Sequence, residues 1–264
     1  MTLVVTHLDE LGAVGVADPA ARGVDNRARP DLSGYAAAVV IDVVRAFTVA
    51  PWCLARGAER VLLARDADAA LAARVERFPQ ALLLRDGRPD PRFDLPNAPG
   101  RIAGEDLTGR TIVQTTGNGT RGAHAVAGVP IILCASFVTA RATAAVLAGT
   151  AGSVLCVPTE GDEDVALADY LAALLDGGGT ADAEPYLRRV RDSPAGQECL
   201  TRGADPAYPG VHPDDLDRCL QVDAFDHALQ AIPDGQLLAL VPVGPSASLS
   251  SRDPRRGTTR ADGT

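Results

Sequence analysis

The chain has 264 residues, 46% of them hydrophobic, with 25 Lys+Arg against 34 Asp+Glu for a formal charge of −9. That length holds one large α/β unit or two small domains, and the composition is that of a globular protein. The acidic balance and the lack of a basic stripe exclude nucleic acid as a partner, and no apolar run reaches the roughly 18–20 residues of a membrane span.

The N-terminal residues, Met1 to Glu10, read as a first strand and lack the basic start and apolar core of a signal peptide. Ala36 to Val44 is a buried-strand run broken by Asp42 and followed by Arg45; Phe47 to Ala58 is a helix with Gly57 near its end. Val61 to Ala64 is a strand, Asp66 to Phe78 a helix burying Leu71, Val75 and Phe78, and Ala81 to Leu84 a strand. A loop rich in Pro, Asp and Arg runs from Arg85 to Gly104. Thr111 to Thr115, Pro130 to Ala135 and Ser153 to Val157 are strands; Gly119 to Ala127, Val138 to Leu147 and Glu163 to Leu175 are helices. Two more helical stretches are expected at Ala181 to Arg202 and Pro213 to Ala231, then a last strand at Leu237 to Val241. Strands alternating with helices imply an α/β fold. We expect a three-layer α/β/α arrangement with a mostly parallel or mixed sheet, open to division into two subdomains. It spans residues 1–250, and 251–264 is a disordered tail rich in Gly, Thr, Asp and Arg.

In such sheets ligands sit beyond the carboxyl ends of the strands. One such end carries Asp42 and Arg45: they form a mutual pair, or Asp42 caps a turn, or the two supply a metal-binding carboxylate and a phosphate-binding guanidinium. A second carries Thr115, Thr116, Gly117, Asn118, Gly119, Thr120 and Arg121, whose helix-opening amides and hydroxyls suit a phosphate. A third carries Glu160, with Asp169 in the following helix; Glu163 and Asp164 read there as ordinary helix-start acids. Carboxylates, arginines and a helix start are what an oxygen-ligated Mg²⁺ and a phosphate monoester need.

Several familiar signatures fail. No lysine occurs, which excludes Schiff-base chemistry and a P-loop lysine. The run Gly117 to Gly122 satisfies GxGxxG, but no acid lies between Asp106 and Glu160 to hold a ribose, and an NADP variant would have to rely on Arg141. Cys134 and Arg141 have six residues between them where the Cys-x5-Arg phosphatase loop has five, and Val44 stands where a dehalogenase-type phosphatase needs its second aspartate. The histidines, His7, His124, His212 and His227, form no metal-binding spacing, and the five cysteines lack a CxxC pair. Free, buried thiols point to the cytoplasm.

The segment Ile41 to Thr48 resembles the Ile-Asp-Val-Leu-Arg-Ala-Thr-Thr motif of the 2-phosphosulfolactate phosphatase family. Phe93 to Pro99, Thr115 to Arg121, Ala135 to Ala140 and Pro158 to Gly161 are similar to its further motifs, in family order. Phe47, Pro96, Gly117 and Thr139 depart from it, and Leu167-Ala168-Asp169 keeps only the aspartate of its Leu-Glu-Asp. The resemblance implies a Mg²⁺-dependent phosphatase with a mixed α/β/α fold, acting on the phosphate monoester of a small anionic 2-hydroxy acid such as 2-phosphosulfolactate. On this reading Asp42, Glu160 and Asp169 bind Mg²⁺; Asn118, Gly119 and Thr120 cradle phosphate, completed by Thr115, Thr116 and Arg45. Arg45 or Arg121 takes a second acid group, and Asn97 lines the pocket. Catalytic weight falls on Asp42, Arg45 and Glu160, and a covalent phosphoenzyme is left open. Two other readings are an inactive anion-binding homologue and an NADP-dependent oxidoreductase. A homodimer is the base-rate expectation for such a chain.

Overall fold

Strand alternation explains how the layers form. In a computed structural model describing residues 1–11 and 31–244, β2 (Tyr35–Ile41) sends Ala38 and Val40 to one core and Ala37, Val39 and Ile41 to another. It lies parallel to β8 (Ser153–Pro158), itself flanked by β1 (Thr2–Val5), and on its other side to β7 (Ile131–Ala135). A second parallel set joins β3 (Arg60–Leu63), β6 (Thr111–Thr115), β4 (Leu82–Arg85) and the two-residue β5 (Leu95–Pro96). The hairpin of β9 (Ala228–Asp234) and β10 (Leu237–Val243) stitches the sets into one ten-stranded sheet, pairing antiparallel with β7 and β3. The two sets are thus halves of one mixed sheet.

The sheet curls. β2 and β6 lie five steps apart in it, yet Gly122 of the helix after β6 packs on Val40 of β2, and the Gln114 side chain of β6 donates to the Ala46 carbonyl just beyond β2. Helix α1 (Ala46–Ala55) occupies the curl, with Phe47, Val49, Ala50 and Cys53 in a core that includes residues of both halves. Helices α5 (Ala140–Ala148), α6 (Asp162–Asp176) and α7 (Glu184–Asp192) cover the outside of the first half, and α2 (Ala67–Glu76) that of the second. The three-layer mixed α/β expectation therefore holds.

Four local expectations need correction. In and just after α2, Leu71 and Phe78 pack half-buried against the core as expected, but Val75 is 82% exposed and the buried positions are Ala70 and Ala73, small residues that fit where the helix lies close to the sheet. The single helix expected at Ala181 to Arg202 breaks at Ser193, whose hydroxyl accepts the Gly196 N–H and starts α8 (Pro194–Gly203) with proline in its first turn. The helix expected at Pro213 to Ala231 is only α9 (Asp215–Cys219), followed by strand β9. Its Pro233 is tolerated because β7 pairs with β9 only at Leu229 and Gln230, so the missing N–H removes no bond there. The Arg85 to Gly104 loop also contains β5 and the short helix α3 (Pro99–Ile102). The tail expected at 251–264 lies outside the described residues.

Phe47 is fully buried where both halves meet α1. Phe47→Ala should destabilise the fold by about 3–5 kcal/mol, read as a lowered denaturant midpoint with an unchanged m-value.

Candidate active site

The carboxyl ends of β2, β8, β4 and β6 converge at the mouth of the curl. Asp42 follows β2 and is 7% exposed. Its Oδ1 accepts the Ala46 N–H at 2.8 Å, which fixes the start of α1. Its other oxygen lies against Gly119, where a Cβ would come within 2.5 Å of Asp42 Oδ2 and 2.7 Å of the Ala46 Cβ. Glycine is required there by close approach.

Two more carboxylates face the same turn. Asp86, at the end of β4, accepts the Gly117 N–H at 2.8 Å, and Glu160, after β8, accepts the Asn118 side-chain amide at 2.5 Å. None of Asp42, Asp86 and Glu160 has an ion-pair partner among the described residues. Burial pushes the Asp42 carboxyl up to about 7; the charges of Asp86 and Glu160 add to the effect and the Ala46 and Gly119 amides oppose it. Burial, then the charge of Glu163, also raises Glu160.

Beneath them Asp164 ties two strand ends together. One of its oxygens accepts the Val43 N–H at 2.8 Å; the other accepts the Thr159 N–H and hydroxyl at 3.0 Å and the Glu160 N–H at 3.1 Å. It is 2% exposed, and burial together with the Asp42 charge raises its carboxyl. Rather than an ordinary helix-start acid, it is the clamp that sets Asp42 beside Glu160.

A cleft of about 620 Å³ is lined by Glu160, Glu163 and Glu198 together with Arg45, Arg88, Arg202 and Tyr208; of the three clustered carboxylates, Glu160 is the one that lines it. Glu163 is 2% exposed; one of its oxygens accepts the Gly161 N–H at 3.3 Å and the other has no protein partner. Arg45 does not pair with Asp42. Its Nη1 donates to Asp215 at 2.5 Å and to the Gly210 carbonyl at 3.0 Å. Arg88 makes no hydrogen bond or ion pair among the described residues, and the Arg202 guanidinium stacks over Tyr208 at 4.5 Å.

Several expected site residues have other partners. The Thr116 and Thr120 hydroxyls are used within their own turn, each accepting the other residue's N–H, at 2.9 Å onto Thr120 and 3.1 Å onto Thr116. Helix α4 (Gly119–Ala125) has seven residues, and the amides around its start are directed at Asp86, Asp42 and Thr116. Asn118 bonds Glu160 instead of capping the helix. Thr115 is buried at the end of β6. Arg121 donates to its own loop at the Gly117 carbonyl, 3.0 Å away. Asn97 is 2% exposed and accepts from Gln114 at 2.7 Å, anchoring its loop to β6 rather than lining the cleft. Asp169 holds Arg189 at 2.6 Å on the exposed face of α6, apart from the other carboxylates.

The third glycine of the GxGxxG match serves close packing of helix on strand, a role it would have in a dinucleotide turn as well. A Cβ on Gly122 would meet Val40 at 2.8 Å and Thr159 at 2.9 Å, so this glycine seats α4 on β2. Arg141 is paired with Asp223 at 3.0 Å. Sequence reasoning missed Asp86 and Asp215. Asp86 ends a strand as Asp42 does, and the same strand-end rule applied to β4 finds it; Asp215 carries no local signal.

The raised Asp42 group has a measurable consequence in metal-free protein. Folding favours its neutral form, so the associated stability is present below pH 4 and is lost as pH rises toward about 7. At about 1.4 kcal/mol per unit, the melting temperature in EDTA should fall by roughly 5–10 °C between pH 4.5 and 8. Asp42→Asn should flatten that slope; an unchanged slope would show that Asp42 ionises normally.

Comparison with known sequences gives the family. A family profile described as 2-phosphosulpholactate phosphatase matches residues 25–193, more than half of the chain. A Bacillus subtilis protein named "Probable 2-phosphosulfolactate phosphatase" is 28% identical over 206 residues, covering 75% of this chain and 88% of its own. Proteins of the same name from Thermoplasma acidophilum (31% over 192 residues, 70% and 81% covered) and Synechococcus sp. RCC307 (33% over 215 residues, 72% and 86% covered) are also similar. The ordered strand-end motifs, the mixed three-layer fold and a match over most of its folded length make this chain a member of the 2-phosphosulpholactate phosphatase family of phosphoric monoester hydrolases.

Proposed function

We propose that this chain hydrolyses the phosphate monoester of a small anionic 2-hydroxy acid of the 2-phosphosulfolactate type, with Mg²⁺ held by Asp42 and Glu160. The observation that carries the reading is a set of three converging carboxylates, Asp42, Asp86 and Glu160, without a cationic partner among the described residues, beside a cleft with arginines in its walls.

The donor set fits the metal. Like-charged oxygens that raise one another's proton affinity lower their energy by sharing a hard divalent cation. No group of three or more His, Cys, Asp or Glu has ligand spacing among the described residues. Mg²⁺ commonly takes only one or two carboxylates, with water and substrate phosphate filling its shell, so Asp42 and Glu160 suffice. When bound, the ion supplies charge stabilisation to the phosphoryl oxygens and a site for water. Asp86 adds negative charge beside Asp42 and fixes the Gly117 amide. Asn118 orients Glu160, and Asp164 orients the strand ends that carry both metal-binding groups.

Arg45, Arg88 and Arg202 face a substrate with a second or third acid group, and their fixed positive charge lowers the energy of a polyanion in the cleft. Water adds to phosphorus as the ester P–O bond breaks, giving inorganic phosphate and the free hydroxy acid. The five cysteines are all unpaired and buried, which supports placing the enzyme in the reducing cytoplasm.

The test is phosphate release from 2-phosphosulfolactate and phospholactate with Mg²⁺ and then with EDTA. EDTA should abolish turnover, and Asp42→Asn or Glu160→Gln should lower kcat on the order of 10²–10³-fold. Release that persists in EDTA would overturn the metal assignment. Anion binding without release from either ester would return the chain to a binding role.

A further inference from the structure

We propose that Asp215 is a positioning residue that fixes Arg45 in the wall of the cleft, which makes the segment from Pro194 to Val222 part of the anion-binding apparatus. The proposal rests on the reading of the cleft as an anion site. It extends that site beyond residues 25–193, where the family profile matches.

Asp215 is wholly buried and its two oxygens are fully used. One accepts the Gly100 N–H at 2.8 Å; the other accepts the His212 N–H at 2.9 Å and Arg45 Nη1 at 2.5 Å. The same Nη1 also donates to the Gly210 carbonyl at 3.0 Å. One carboxylate therefore joins the turn after β2, the start of α3 and the loop entering α9. The joint is close-packed, because a Cβ on Gly100 would overlap the His212 ring.

This arrangement acts on Arg45 in two ways. A guanidinium is a rigid planar fork, so two bonds to one terminal nitrogen fix the whole group and leave the remaining donors at one edge. A long side chain that would otherwise lose rotamer freedom on meeting an anion has already lost it on folding. Arg45 is 11% exposed at its side chain yet lines the cleft, as expected of a group held in place with one edge open. Removing the buried carboxylate releases that edge and leaves a poorly compensated charge.

A thermodynamic cycle on the full chain tests this, using inorganic phosphate as the probe by calorimetry with Mg²⁺ present, alongside kcat and KM on the ester. Arg45→Met and Asp215→Asn should each weaken phosphate affinity about tenfold or more, and the double variant should bind no more weakly than Arg45→Met alone. The loss in Asp215→Asn should fall on KM more than on kcat. Should Asp215→Asn fail to fold, Asp215→Glu, which keeps the charge but displaces the oxygens, takes its place in the cycle with a smaller loss in the same direction. A variant with wild-type phosphate affinity and only a lowered melting temperature would overturn the proposal, as would losses that multiply in the double variant. Wild-type protein that fails to bind phosphate would overturn it as well. Wild-type protein that binds phosphate with the expected cycle but releases none from either ester would sink the hydrolase reading and leave this proposal standing.

Discussion

Asp164 makes four hydrogen bonds, to Val43, to Thr159 twice and to Glu160, and these join the ends of β2 and β8 at the point where the chain leaves both strands. Strand pairing sets the two backbones side by side only as far as Ile41 and Pro158. Beyond that the chain has no ladder to follow, and the residues that carry the chemistry begin. One bond falls on Oδ1 and three on Oδ2, and in all four the Asp164 oxygens accept, so a single side chain holds both strand ends. The positions of Asp42 and Glu160 follow from that clamp, and so does their proximity.

That proximity is energetically unfavourable in the absence of a counter-charge. The burial that lets Asp42 contact Gly119 and Ala46 also disfavours its ionised form, and Asp86 and Glu160 add repulsion. Across the cleft the problem is inverted, with guanidinium groups gathered near one another. There the chain settles the balance internally: Asp215 pairs with Arg45 and Glu198 with Arg202. The carboxylate side has no such internal solution among the described residues. The asymmetry marks the carboxylate side as the one that lacks a counter-charge, while across from it Arg88 alone of the three cleft arginines has no ion-pair partner among the described residues.

Much of this was legible in the sequence because it is local. Alternation between apolar strands and helices gave the layers, and polar residues at strand ends located Asp42, Glu160 and the Gly117 to Gly122 turn. What could not be read was which donor meets which acceptor. Thr116 and Thr120 offer hydroxyls that look free in the sequence and are used by each other. Asp169 sits near Glu160 in number but on an outward face of α6, where Arg189 claims it. Asp215 meets Arg45 across 170 residues, a pairing that only the closed fold creates. Strand β9 was hidden by Pro233 and by polar residues that suit a helix as well as a strand. The two-residue turn Gly235-Gln236 that joins β9 to β10, with Gly235 at φ +68° in its first position, was nevertheless a readable hairpin signal.

The β9–β10 hairpin also bears on how the molecule is made. Its strands leave the ribosome after all the others, yet they lie in the middle of the sheet, between β7 and β3. Until residues 228–243 emerge, each parallel half can assemble only with one interior margin open, and an open margin offers unpaired amides and carbonyls to any neighbouring chain. Closure of the curl and the meeting of one half's strand ends with the other's therefore wait for the hairpin, although β2 and β8 can already pair. A nascent or prematurely terminated chain that stops at α9 would have every residue assigned to chemistry but not the hairpin that joins the two halves of the sheet, and its two bare margins would make it prone to association with its own kind.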